Sequence, residues 1–315
     1  MTSMNAINKV ETYKADAGPY AVETRYYDWK DETRDRLIPV KIYYPASVVE
    51  KCPVVLFSHG LGGTREGGEA WGRHWAGYGY ISLHLQHIGS DDKVLRGTTE
   101  QLNNIASALN AENWINRIND VSFVLDKLEE LNRVDQTFSD VLDLAKIGMS
   151  GHSFGSATTL GVCGQKIAYG VNGCEVVFTD KRIQAGVVFS PSMTERGDPK
   201  TAFGSINVPL INFTGTKDDS PITPTTAADR RIPFDNMTGQ DKYLVVFEGG
   251  DHWVFSGIRR FRGENEHDKA IHHYIRMFTM AFWDAYLRGD KKAQKWLAGN
   301  SAIACLAGNG VMERK

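Results

Sequence analysis

Apolar residues recur along this chain in two rhythms. Tyr20–Trp29 (YAVETRYYDW) and Leu37–Pro45 (LIPVKIYYP) mix aromatic and β-branched residues around a polar, turn-forming KDETRD, which predicts an antiparallel hairpin. Six short, nearly continuous apolar runs follow: Pro53–Phe57, Tyr80–Leu85, Ala145–Met149, Ala185–Phe189, Pro209–Phe213 and Tyr243–Phe247. Runs without polar alternation suit strands covered on both faces, and so a parallel sheet. The other rhythm is helical. Val121, Val124, Leu125, Leu128 and Leu131 share one face, as do Ile271, Ile275, Phe278, Phe282 and Tyr286. Strand alternating with helix predicts a mostly parallel central sheet with helices on both faces and a ligand site at the carboxyl ends of its strands. The poorly patterned stretch from about Gly89 to Asn113 predicts a loop or lid beside that site.

Length and composition narrow this only a little. No composition shift, repeat or low-complexity tract divides the 315 residues, so one domain over residues 1–315 is expected. With 42% apolar and 23% charged residues, the chain is neither disordered nor collagen-like. A net charge of −2 without basic runs argues against a nucleic-acid partner and for a small, largely uncharged ligand. No apolar stretch is long enough to span a membrane, and MTSMNAINKV lacks the apolar segment of a signal peptide, which leaves the compartment open. None of the four cysteines has metal-site spacing. Cys163 and Cys174 flank a short segment that a disulfide could close in an oxidising compartment, but free thiols are the expectation for most or all four.

Chemistry concentrates where the predicted strands end. Gly151-His152-Ser153-Phe154-Gly155 fits G-x-S-x-G directly between a strand and a helix, the context in which a serine sits on a strained turn with its hydroxyl exposed. Glycines two residues to either side avoid collisions with neighbouring backbone. A serine in this position points to an acyl-enzyme, whereas aspartate or cysteine would point to other reactions. Upstream, the strand PVVLF runs into Ser58-His59-Gly60-Leu61-Gly62-Gly63, where a second backbone donor is expected. Leu61 and Phe154 are the candidate N–H groups for a tetrahedral oxyanion. A dinucleotide loop is excluded because Arg65 stands where a third glycine is needed. His59 reads as a residue that hydrogen-bonds within the turn.

A serine nucleophile needs a base and the base an orienting carboxylate, in the chain order Ser, Asp or Glu, His. TGTKDDSP after one predicted strand offers Asp218, with Asp219 as the alternative, and EGGDHWVF after the next offers His252. Among the other histidines, His74, His267, His272 and His273 suit surface or packing roles, while His84 and His87 are candidates to line the pocket. Trp253 is a candidate substrate-binding residue, whereas Trp71, Trp114 and Phe255 read as core.

The segments FSHGLGG, GHSFGSAT, TGTKDDSP, GGDHWVF and AFWDAYLRGD together resemble the predicted dienelactone hydrolase group, which is related to platelet-activating factor acetylhydrolases and to cutinase-like polyester hydrolases. The resemblance runs over most of the chain. It implies a single α/β-hydrolase domain, no cofactor and no metal, and hydrolysis of small carboxylic esters by Ser153, Asp218 and His252, with Leu61 and Phe154 as oxyanion donors. Three departures qualify it. True dienelactone hydrolases use cysteine where Ser153 stands. Mammalian-type acetylhydrolases carry their acid one strand earlier, where this chain has Ser190. Cutinase-like enzymes usually have methionine where Phe154 stands, so only slow polyester activity is expected. The expected function is a serine ester hydrolase acting on short-chain esters. An acyltransferase, thioesterase or amidase on the same residues, and a non-catalytic binding member of the fold, are the alternatives; oligomeric state is left open.

Overall fold

The computed structural model describes residues 12–47, 50–95, 105, 107–169, 174–193, 197–258 and 265–315. The expected hairpin is β1 (Val22–Asp31) and β2 (Arg36–Pro45), paired antiparallel from Val22 opposite Pro45 to Asp31 opposite Arg36. All six apolar runs become core strands: β3 (Cys52–Ser58), β4 (Ile81–Leu85), β5 (Leu142–His152), then, after a short ribbon of β6 (Lys166–Tyr169) and β7 (Cys174–Val177), β8 (Ile183–Phe189), β9 (Leu210–Lys217) and β10 (Lys242–Asp251). A last strand, β11 (Gly310–Arg314), pairs antiparallel with β10. Among the described residues the main sheet has nine strands in the order β1-β2-β4-β3-β5-β8-β9-β10-β11, and the six core strands are mutually parallel.

Side-chain alternation splits the core in two. On β3, Val54 and Leu56 join Val121, Val124 and Leu128 of a long helix, whereas Val55 and Phe57 join Ile275, Phe278 and Phe282 of another. The main helices are α1 (Glu69–Gly77), α2 (Ala111–Val134), α3 (Phe154–Val162) and α4 (Glu266–Tyr286). The Asn110 and Asn265 side chains cap α2 and α4 by accepting the N–H groups of Asn113 and Asp268. Of the expected loop at Gly89–Asn113, residues 96–104 and 106 lie outside the described part; Asp92–Leu95 form a 3-10 turn, and α2 begins at Ala111. Cys52, Cys163 and Cys305 are buried free thiols, and the side chain of Cys174 lies outside the described residues. No described helix is long and apolar enough to cross a membrane.

The core also holds neutral histidines. His84 lies between Ser82 Oγ and the Gly67 carbonyl and stacks on Phe57; His87, also wholly buried, bonds Ser58 and Asp120; His74 meets the Lys14 carbonyl. His84 and His87 thus pack inside and are not among the described lining residues of the pocket below, a departure from the sequence expectation: β4, which carries His84, is covered on both faces, and Ser58 and Asp120 hold both nitrogens of His87. Burial pushes His74 and His87 down to about 4 and His84 to about 3, from an ordinary 6.5. Below pH ~6.5 the unfolded chain therefore binds protons that the folded chain refuses. Stability is full above that pH and is lost as pH falls through about 4, by up to about 1.4 kcal/mol per pH unit for each histidine. Urea midpoints should be level from pH 8 to 7 and drop steeply from pH 6 to 4. A midpoint that holds constant down to pH 4 contradicts this account.

Candidate active site

At the carboxyl end of β5 the chain turns sharply into α3. Ser153, on this turn, has φ 55° and ψ −116°, a conformation that L-residues adopt only under constraint. Phe189 at the end of β8 supplies part of that constraint, since its carbonyl accepts both the Ser153 N–H at 2.9 Å and the Ser156 hydroxyl at 2.8 Å. The two motif glycines supply the room. A Cβ on Gly151 would stand 2.2 Å from the Gly155 carbonyl oxygen, and one on Gly155 would stand 1.9 Å from that of Ser58. Backbone occupies both positions, so any side chain there would force α3 away from the strand ends.

Three side chains from three strand ends meet beside this turn. The Ser153 hydroxyl lies 3.1 Å from His252 Nε2, and His252 Nδ1 lies 2.7 Å from Asp218 Oδ1. Asp218 is fully buried, and its other oxygen accepts the Thr214 hydroxyl at 2.8 Å. Because a carboxylate only accepts, Nδ1 carries the imidazole hydrogen, and Nε2 is left as the acceptor facing Ser153. Asp219 is exposed and turned elsewhere; it accepts the Ala227 N–H at 2.8 Å where the next 3-10 turn begins. Asp251 likewise works locally, accepting the Trp253 and Val254 amides.

Two residues that the sequence reading passed over hold this group in place. His152, buried between the motif glycine and Ser153, donates from Nε2 to the His252 carbonyl at 3.0 Å. Burial above all, with the nearby Arg230 charge, keeps it neutral, far below the ordinary histidine range. The signal was present as the variable residue of G-x-S-x-G, but its partner lies 100 positions away. Arg230, also buried, donates to the carbonyls of Asp218 at 3.0 Å and Ser190 at 3.0 Å and stands 3.5 Å from Asp218 Oδ1. It ties the ends of β8 and β9 together. No motif marks it.

Facing the relay is the turn after β3. Gly60 packs so closely that a Cβ there would lie 3.4 Å from Ser153 Cβ. The Gly60 carbonyl accepts His59 Nδ1–H at 2.6 Å and the Gly63 amide at 3.1 Å, while His59 Nε2 accepts the His87 amide at 3.0 Å. His59 is thereby fixed as a neutral ring, and burial with the nearby Arg117 charge holds it well below its usual pKa. Among the described residues, the Leu61 N–H and the Phe154 N–H, the latter in the unsatisfied first turn of α3, have no acceptor within the chain.

Directly behind this turn lies a second serine–histidine–aspartate arrangement, formed by Ser58, His87 and Asp120. Ser58 Oγ is 2.9 Å from His87 Nε2, and His87 Nδ1 is 2.9 Å from Asp120 Oδ2. All three residues are fully buried. Burial raises the Asp120 carboxyl, but hydrogen bonds from His87 and Arg36 outweigh it and hold the group down at about 2.

The Ser153 group opens to a cavity. That cavity, of about 440 Å³, is lined by Phe57, Leu61, Leu95, Pro221, Ile222 and Trp253 among others, and no aspartate, glutamate, lysine or arginine is among its described lining residues. Its volume suits a small organic ligand. Trp253 stands on the rim, 56% exposed, with its ring 6.1 Å from that of His252. Trp71, Trp114 and Phe255 are buried in the core as expected. Among the described residues, no cluster of histidine, cysteine and acidic side chains could hold a metal ion.

Residues 34–119, which carry β2, β3 and the turn after it, match the family model of platelet-activating factor acetylhydrolase, isoform II. A curated platelet-activating factor acetylhydrolase from Cavia porcellus is 25% identical over 297 residues, covering 82% of this chain and 63% of that protein. The chain thus spans somewhat less than two thirds of the relative's length. The chain is thus similar in sequence to the platelet-activating factor acetylhydrolases, and its mostly parallel nine-stranded sheet with helices is of the α/β class.

Proposed function

We propose that this protein is a serine hydrolase that cleaves small, uncharged carboxylic esters through an acyl-enzyme. The observation that carries the reading is the unbroken run of hydrogen bonds from Asp218 through His252 to Ser153, ending at a cavity whose described lining residues include no aspartate, glutamate, lysine or arginine. In this reading His252 Nε2 takes the Ser153 proton as Oγ attacks the ester carbonyl. The oxyanion then accepts the Leu61 and Phe154 amides, preorganised donors of the kind whose loss costs about 3 to 4 kcal/mol of barrier. His252 returns the proton to the departing alcohol, and the serine keeps the acyl group. A water deprotonated by the same ring attacks the acyl carbon, and the acid leaves as Oγ recovers its proton. The relative's name, an acetylhydrolase, accords with a short acyl group. Asp218 is the orienting acid here because Asp219 is committed to the Ala227 amide.

The assay is hydrolysis of p-nitrophenyl esters of rising acyl length. Ser153→Ala should abolish turnover while leaving the fold intact. Equal turnover by parent and variant would place the nucleophile elsewhere. Asp218→Asn reverses the donor pattern at His252 and should lower kcat by roughly 10⁴-fold, whereas Asp219→Asn should stay within about threefold. The opposite ranking would move the acid to Asp219. Trp253→Ala removes apolar rim surface that only longer acyl chains reach, so KM should rise about tenfold for hexanoate and hardly at all for acetate. A uniform change at every length would assign Trp253 to structure.

A further inference from the structure

Behind the Gly60–Leu61 peptide, on the side toward which its carbonyl points, lies the side chain of Arg117 from α2, fully buried. Its guanidinium donates to the His59 carbonyl at 2.7 Å, Ser90 Oγ at 2.9 Å, Ser58 Oγ at 3.3 Å and the Gly60 carbonyl at 3.4 Å. Its central carbon sits 4.3 Å over the Phe154 ring. All these partners are uncharged.

A buried cation ordinarily recruits a contacting carboxylate, because desolvation without one is costly. Asp120, three residues further along α2, is taken by His87, Arg34 and Arg36, and among the described residues no carboxylate contacts Arg117. Burial lowers the guanidinium to about 9, against the opposing pull of Asp120, so it is cationic at neutral pH. Positive charge is thus held, without a contacting counter-ion, beside the turn where the proposed reaction develops negative charge.

The geometry gives that charge a route to the reaction. A trans peptide is planar, so the direction of the Gly60 carbonyl sets the opposite direction of the Leu61 N–H. His59, the Gly63 amide and Arg117 converge on that one oxygen. Cationic hydrogen bonding to the oxygen also polarises the amide and strengthens its N–H as a donor. The second proposed donor belongs to Phe154, whose ring lies against the same guanidinium.

We propose that Arg117 is the positioning residue of the oxyanion site, orienting and polarising the Gly60–Leu61 peptide from behind and seating the Phe154 turn through its ring. The inference rests on the ester-hydrolase reading above. The test compares the parent with Arg117→Gln and Arg117→Lys in ester kinetics and in affinity for a trifluoromethyl ketone of matching acyl length, which forms a tetrahedral adduct on a serine nucleophile. Arg117→Gln should lower kcat by roughly 10- to 100-fold with KM within about twofold, and the ketone Ki should rise by the same factor. Arg117→Lys keeps the charge but reaches fewer carbonyls, and should fall between parent and glutamine variant in both readouts. Folded variants whose ketone affinity equals the parent's would overturn the proposal, whatever their thermal stability. Should the glutamine variant fail to fold, the lysine variant decides alone: a ketone Ki raised severalfold at unchanged KM supports the role, and an unchanged Ki refutes it. Ser153→Ala separates the two levels of inference, because a parent whose turnover survives that substitution refutes the ester-hydrolase reading itself.

Discussion

Three backbone segments, the ends of β3 and β8 and the turn from β5 into α3, converge within a few ångströms at the carboxyl edge of the sheet, and the turn at Ser153 is where they meet. The turn is confined by the Ser58 carbonyl on one side, where Gly155 leaves room, and anchored to the Phe189 carbonyl on another through the Ser153 N–H. Ser153 holds its unfavourable φ because these contacts over-determine it. The turn after β3 can approach closely enough to face the serine only because Gly155 leaves the space. The same convergence brings Asp218 and His252 into reach from β9 and β10, since parallel strands deliver their loops to a common edge.

Electrostatics follow a related plan. His59 and His152, buried at this edge, are kept neutral and act as fixed hydrogen-bonding struts whose tautomers are set by backbone partners. The two buried positive charges behind the site, Arg117 and Arg230, are arginines, whose planar forks bridge several carbonyls at once. Arg230 joins the β8 and β9 ends near the relay, and Arg117 joins the β3 turn to α3. Each sits one layer behind the residues that face the cavity.

Much of this was legible in the sequence because the signals were local. Strand runs bounded by turns, and a serine framed by glycines between strand and helix, depend on neighbours a few residues apart, and all six core strands emerged from their apolar runs. What escaped notice depends on long-range partners. β11 is five residues with a single buried position, and becomes a strand only because β10 presents a free edge. His87 looked available to the pocket because it follows a strand end, yet Asp120 and Ser58 claim both its nitrogens. Arg117 sits within an ordinary helical pattern, where an arginine reads as a solvated face until its burial is seen.

The paired arrangement of Ser58, His87 and Asp120 bears on how function is recognised from coordinates. Its hydrogen-bond lengths would satisfy a geometric template for a charge-assisted nucleophile as well as those of Ser153, His252 and Asp218 do. Yet Ser58 is a strand residue walled in by protein, and its hydroxyl already receives Arg117. The same three residue types therefore serve as mortar in one place and as a proposed reactive centre in another. What distinguishes the two is vacancy: an electrophile has somewhere to stand beside Ser153 and nowhere beside Ser58.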